Sequence, residues 1–118
     1  MDLNLFAAPP HDVSLYSLLQ ARERDRRPIR VGLIGAGATG RAIALQLGTP
    51  VPGIRLAGIA NRTPAHAQRA LREAGIEAWE GATSVGDAEA CIGRGVAVLT
   101  DDAQVLTRCD AIDLIVEV

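Results

Sequence analysis

Lysine is absent from this chain: all twelve of its basic residues are arginine. Any mechanism that needs a lysine base, a Schiff-base amine or a phosphate-loop lysine is therefore excluded for this segment. Aromatic residues are nearly as scarce, at 3% of the sequence. With 48% hydrophobic residues overall, a core has to be assembled from Ala, Val, Leu and Ile. Long apolar runs are missing too. The longest uncharged stretch, Ala42–Ile54, is broken by Pro50 and Pro52 and falls short of the ~20 residues a membrane-spanning helix needs, so no membrane partner is expected. The opening "MDLNLFAAPPHD" carries acid and proline where a secretory leader has a basic region ahead of an apolar core. A cytoplasmic location is the expectation. Cys91 and Cys109 lie far apart and form no CxxC pair. They read as reduced, partly buried thiols rather than as a disulfide or metal ligands, and no metal site is expected. The net charge of −2 speaks against a nucleic-acid partner.

What is present is a chain of 118 residues, the length of one domain. "VSLYSLLQARERDRRP" reads as a helix capped at Ser14, with Leu15, Leu18, Leu19 and Arg22 at helical spacing. Its arginines, from Arg22 to Arg30, read as a solvated helix end, where positive charge suits the dipole. "IRVGLIGAG" from Ile29 is an apolar run ending in glycine, the pattern of a buried parallel strand. A helix is expected over Ala38–Leu47, with Gly40, Ile43, Ala44 and Leu47 facing the sheet. "IRLAGIA" (Ile54–Ala60) is a second strand. "TPAHAQRALREAG" is a second helix, with Pro64 in its first turn and Gly75 at its end. The stretch from Ile76 reads as irregular, then as a short helix near Val85–Ile92, with Trp79 as a packing residue. "GVAVLT" is a third strand, "DAQVLTRC" a short helix or turn, and "AIDLIVEV" a fourth strand. The order predicts an α/β fold, a Rossmann-type doubly wound parallel sheet, preceded by a helical extension over 1–28 and occupying 29–118.

The chemistry rests on Gly35-Ala36-Gly37-Ala38-Thr39-Gly40, a GxGxxG placed directly after a strand and at the start of a helix. Gly35 allows the tight turn, Gly37 leaves room for a pyrophosphate, and Gly40 lets the helix pack close to the sheet. Free N–H groups near Ala38 and Thr39 then face an anion at the positive end of the helix. A strand–helix turn that binds nothing is the plainer alternative.

At the end of the second strand, where an acid would bind the ribose hydroxyls of NAD, stand Asn61, Arg62 and Thr63. A carboxylate there would repel the 2′-phosphate of NADP, whereas a guanidinium clamps phosphate with paired hydrogen bonds. The triplet predicts NADP as the preferred cofactor, with NAD possible. The plainer alternative makes Thr63 a helix cap and Arg62 an exposed side chain. His66, one turn into the helix, reads as solvent-facing, and His11 has no partner in the pattern.

"PIRVGLIGAGATGRAIALQL", "GIANRTPAHAQRAL", "VAVLTDDAQVL" and "DAIDLIVEV" together resemble the N-terminal half of homoserine dehydrogenase-like oxidoreductases, in the branch that carries a later SAF domain. The "ANRT" turn is also similar to the NADP-selective turn of shikimate dehydrogenases and glutamyl-tRNA reductases. The resemblance covers residues 15 to 118 and implies a dinucleotide-binding domain followed by a substrate domain that also mediates oligomerisation. Carried over by position, it puts the phosphate loop on Gly35, Gly37, Ala38, Thr39 and Gly40. The 2′-phosphate contacts fall on Asn61, Arg62 and Thr63, and the loop beside the adenine on Thr100 and Asp101. Glu117 and Val118 match the strand end where the nicotinamide half begins.

The family's catalytic lysine and carboxylates have no counterparts here, and Asp102, Asp110 and Asp113 read as turn and capping residues. The sheet is expected to stop after its fourth strand, so the chain reads as the front half of a longer homo-oligomeric enzyme. In that enzyme hydride passes between nicotinamide and a small carbonyl or alcohol substrate, and the segment alone is expected to be inactive. Three rival classes compete: a non-catalytic dinucleotide sensor, an S-adenosylmethionine-binding methyltransferase domain, and a structural α/β module. The methyltransferase class wants an acid at position 61.

Overall fold

The computed structural model describes residues 14–49 and 51–118. The leader assignment, His11 and the helix break at Pro50 lie outside the described residues. The elements run α1 (Leu15–Arg24), β1 (Ile29–Ile34), α2 (Ala38–Gly48), β2 (Ile54–Ala60), α3 (Pro64–Glu73), β3 (Trp79–Gly81), α4 (Val85–Gly93), β4 (Ala97–Thr100), α5 (Ala103–Thr107) and β5 (Leu114–Glu117). The strands form one sheet in the order β3-β4-β2-β1-β5, and every pairing is parallel. The chain runs from β1 through β2 to the far edge at β3, steps back in to β4 beside β2, and then crosses to lay β5 on the other side of β1. This reversal of direction is the doubly wound arrangement anticipated from the strand–helix order. The four expected strands are all present. The fifth, β3, is a three-residue edge strand inside the stretch that reads as irregular. It pairs Trp79–Gly81 with Ala97–Leu99, and three residues are too few for an alternation to show in sequence.

Side-chain alternation divides the core between the two faces of the sheet. Leu33, Leu56, Ile59 and Leu99 point toward α2 and α3, where they meet Ala44, Ala67, Ala70 and Leu71. Ala57, Ala60 and Val98 point the other way, toward Ala88, Cys91, Ile92, Val105 and Leu106. Trp79 is a packing residue, half-buried against the first of these clusters. A core without aromatic bulk closes by bringing backbones together. At Gly32 a methyl group would stand 2.9 Å from the Ile115 side chain, and at Gly58 one would stand 2.8 Å from Leu106. Gly32 thus leaves space for the Ile115 side chain of the neighbouring strand β5, and Gly58 for Leu106 of α5, which packs on the sheet. An extra residue in β2 shifts its register against β1 between Val31 and Gly32, a bulge of the kind that raises local twist.

Helix α1 begins as expected. Ser14 and Ser17 cap one another reciprocally, the Ser17 N–H donating to the Ser14 hydroxyl at 3.1 Å and the Ser14 N–H to the Ser17 hydroxyl at 3.0 Å. Its leucines do not form the buried face their spacing suggests, for no α1 residue is fully buried. The helix is held at its C-terminal end instead. The Glu23 carboxylate accepts from the Gly53 N–H at 2.8 Å and takes both oxygens to the Arg55 guanidinium, at 2.9 and 2.7 Å. Gly53 adopts φ +77°, and a methyl group there would overlap the Leu19 carbonyl. Arg22 is only partly solvated, with its Nε buried and unpartnered among the described residues.

The Gly53 N–H, and after it Arg55, hold the Glu23 carboxyl below its ordinary value of 4.5. A depressed carboxylate contributes its stabilisation above the unfolded value and loses it as the pH falls through the folded one. Acidification below about pH 4.5 should therefore release α1 from the β2 turn. Protection of the Gly53 amide, taken relative to its intrinsic exchange rate at each pH, should fall over that range, and Glu23→Ala should show low protection already at neutral pH.

Candidate functional site

The C-terminal ends of β1, β2, β4 and β5 open into a cleft of about 560 Å³, bordered by Gly35, Asn61, Arg62, Asp101, Asp102 and Glu117. It lies at the C-terminal end of the sheet, beside the β1–β5 pair where the strand order reverses, the position at which doubly wound folds receive ligands. Two further hollows lie at the opposite end of the sheet, one of about 570 Å³ beside Arg30, Leu47, Ile76 and Val96. None of the residues singled out from the sequence as binding groups lines that larger hollow.

The three glycines of the loop have three different reasons to be glycine. Gly35 adopts φ +115°, and a methyl group on it would sit 2.8 Å from the Val118 carbonyl oxygen. Gly40 is buried, and a methyl group there would run into the carbonyl of Gly35, so its absence is what lets α2 start directly over the turn. Gly37 is different. Its φ of −75° and ψ of −163° suit any residue, and a side chain there would meet nothing within 4 Å. Neither backbone strain nor packing among the described residues requires glycine at that position, and the space above it is open.

That space faces the start of α2. The first turn of the helix closes with the Arg41 N–H donating to the Gly37 carbonyl, at 2.8 Å. The N–H groups of Ala38, Thr39 and Gly40 are left without intrahelical acceptors. Gly37 provides no side-chain cap and the first turn holds no acid, so the positive end of the helix is unneutralised. Ala38 and Thr39 are exposed there.

At the end of β2 the Asn61 N–H donates to the Thr100 carbonyl at 3.1 Å. The Asn61 side chain turns back into the protein: Oδ1 accepts from the Ala36 N–H at 3.1 Å, and Nδ2 donates to the Thr63 carbonyl at 2.9 Å. Arg62 is exposed at the cleft and has no ion-pair partner among the described residues. Thr63 occupies the N-cap position of α3, but its hydroxyl makes no capping bond, which leaves it available. Thr100 is buried, at 2% exposure, and its hydroxyl accepts from the Asp102 N–H at 3.2 Å. Its neighbour Asp101 is the exposed member of that pair. Asp102 caps α5 through the Gln104 N–H at 2.9 Å, as expected, whereas Asp113 accepts from the Arg30 N–H of β1 at 2.9 Å, a tie between distant segments rather than a turn or a cap. His66 is exposed on α3.

The cysteines are unpaired and buried. Burial first, and then the adjoining Glu80 carboxylate, pushes the Cys91 thiol above its usual range, and burial does the same at Cys109. Neither is set up as a thiolate nucleophile. Among the described residues no cluster of His, Cys, Asp and Glu could hold a metal ion, and no helix is long and apolar enough to cross a membrane.

No protein-family model matches the chain, and no curated protein matches it. Among solved structures it is similar to scyllo-inositol dehydrogenase from Lactobacillus casei, determined with bound cofactor NAD(H) and scyllo-inositol. The TM-score is 0.53 at 20% sequence identity, over 77% of this chain and 21% of that one. The two share a fold. This chain spans about a fifth of that neighbour's length. The likeness supports the doubly wound reading and does not select the homoserine dehydrogenase-like branch.

Because Gly40 is constrained by packing, Gly40→Ala should destabilise the domain by about 2 kcal/mol, the usual cost of forcing an extra methyl into a filled space. Urea denaturation followed by circular dichroism would read this as a lower midpoint with an unchanged slope.

Proposed function

We propose that this chain is the NADP(H)-binding domain of an oxidoreductase. The observation that carries the reading is Gly37: a residue without a side chain, where the protein itself has no need of one, beside uncapped N–H groups of α2. A pyrophosphate would use both features, the open space for close approach to the backbone and the N–H groups for its charge. Gly35 and Gly40 shape the turn, while Ala38 and Thr39 supply the N–H groups and a hydroxyl.

The preference for NADP over NAD rests on the end of β2. Asn61 is neutral where a carboxylate would repel a 2′-phosphate. Arg62 and the unused Thr63 hydroxyl stand next to the N-terminus of α3, where an anion is favoured. Thr100 shapes the β4 turn through its buried hydroxyl, and Asp101 borders the adenine side. Nicotinamide supplies the hydride chemistry when bound, and the part of this chain is to hold and orient it. The substrate class follows from the homoserine dehydrogenase-like resemblance: a small carbonyl or alcohol, with homoserine and aspartate semialdehyde as one candidate pair and a sugar acid or polyol phosphate as another. The residues acting on it belong to a further domain in a homo-oligomeric cytoplasmic enzyme.

Calorimetric titration with NADPH and NADH at modest salt tests the reading. NADPH should bind more tightly, and Arg62→Ala should reduce that preference by roughly tenfold or more, the worth of a charge-assisted hydrogen bond. Equal affinity for the two nucleotides in the unsubstituted chain would remove the NADP assignment. Gly37→Asp separates binding from stability. Asp is a favourable N-cap in this extended conformation, so the melting temperature should hold or rise. Its carboxylate would occupy the phosphate position, and binding of both nucleotides should be lost.

A further inference from the structure

Resting on the dinucleotide reading, we propose that Asn61 is a positioning residue that latches the two cofactor loops together, rather than a direct ligand of the 2′-phosphate. The backbone ties between β1 and β2 end where the strands end, with the Gly35 N–H donating to the Ala60 carbonyl at 2.9 Å. Beyond that point β1 turns into α2 and β2 turns into α3, and their backbones part. The Asn61 side chain spans the gap. Its Oδ1 takes the next N–H of the glycine turn, that of Ala36, at 3.1 Å, and its Nδ2 gives a hydrogen bond to the Thr63 carbonyl at 2.9 Å.

The two partners fix the orientation of the amide, because the N–H must face an oxygen and the carbonyl a nitrogen. The Thr63 carbonyl also accepts the first bond of α3, from the His66 N–H at 3.0 Å. One side chain thereby links the turn that opens α2 to the residue that opens α3. Arg62 lies inside the closed loop, between the Asn61 N–H bonded to the Thr100 carbonyl and the Thr63 carbonyl bonded to the Asn61 side chain.

The consequence is geometric. Either dinucleotide reaches both loops at once, its pyrophosphate at the start of α2 and its adenosine ribose, with or without a 2′-phosphate, at the turn into α3. Asn61 sets the separation between them. An aspartate in its place would still accept from Ala36 but could not donate to Thr63, so asparagine is the one residue of that size that satisfies both partners.

Asn61→Ala and Asn61→Asp, compared by calorimetry with NADPH and NADH and by amide exchange in the free protein, test the latch. A latch serves either nucleotide, so Asn61→Ala should weaken NADPH and NADH by the same factor, about fivefold, leaving their ratio unchanged. Without nucleotide, the Ala36 amide should exchange at least several-fold faster, while core amides such as that of Leu33 stay protected and thus show that the variant is folded. Asn61→Asp keeps the Ala36 bond but gives up the one to Thr63, so it should hold Ala36 protection while NADPH affinity falls further than NADH affinity. A loss confined to NADPH in Asn61→Ala, or no change in Ala36 exchange, would overturn the latch and leave the cofactor assignment standing. Failure of the unsubstituted chain to bind either nucleotide would overturn the cofactor assignment itself and the positioning role with it.

Discussion

The approach of α2 to the turn after β1 is the constraint on which the site depends. Gly40 lies so close to the Gly35 carbonyl that no side chain fits between them, and Gly35 itself takes a conformation that side chains rarely adopt. Together they let a helix begin immediately over the end of a strand, with its first N–H groups turned outward. Val118, at the end of β5, closes the other side of the turn by donating its N–H to the Ile34 carbonyl at 3.0 Å. The cleft is the space left where four strand ends come together beside this turn.

The shortage of aromatic residues has the same outcome throughout the molecule. Where bulky side chains would hold layers apart, alanine and glycine let them meet. Gly48 of α2 sits against the Ala74 carbonyl at the end of α3, Gly58 admits Leu106 of α5 onto the sheet, and Gly32 leaves room for Ile115 of the neighbouring strand. A Glu73 carboxylate shared between Arg41 of α2 and Arg69 of α3, at 3.4 and 2.7 Å, adds a polar tie across the same pair of helices. Being exposed, it contributes modestly beside the buried contacts. Such a core leaves little slack, so the starts of α2 and α3 are held at a set spacing.

The two ends of the sheet are finished differently. At the N-terminal ends of the strands, Glu23 and Arg55 fasten α1 through paired hydrogen bonds. At the C-terminal ends the backbone groups are tied in sequence, Gly35 to Ala60 and Asn61 to Thr100, leaving Arg62, Thr63 and the α2 N–H groups unspent. Polar capacity is used up at one end of the sheet and held in reserve at the other.

Much of this was determined locally, and so was legible in the sequence. Helix boundaries at Ser14, Pro64 and Gly75, the apolar runs of β1 and β2, and the glycine turn all follow from backbone preferences and periodicity that operate within a few residues. The cluster of Arg62 and Asp101 around the loop follows from the same strand–helix order, which sends every strand end to one side. Other features had no local signal. A three-residue β3 exists only because β4 offers an edge for it to pair with. The leucines of α1 have helical spacing, yet whether they are buried depends on what lies across from them. Gly37 and Gly40 are indistinguishable as letters in a motif, and only the surrounding atoms show that one is filled against and the other is open. Asn61 reads from sequence as a cofactor contact, because its bond to Ala36, 25 residues away, arises between chain segments that come together only in the folded sheet.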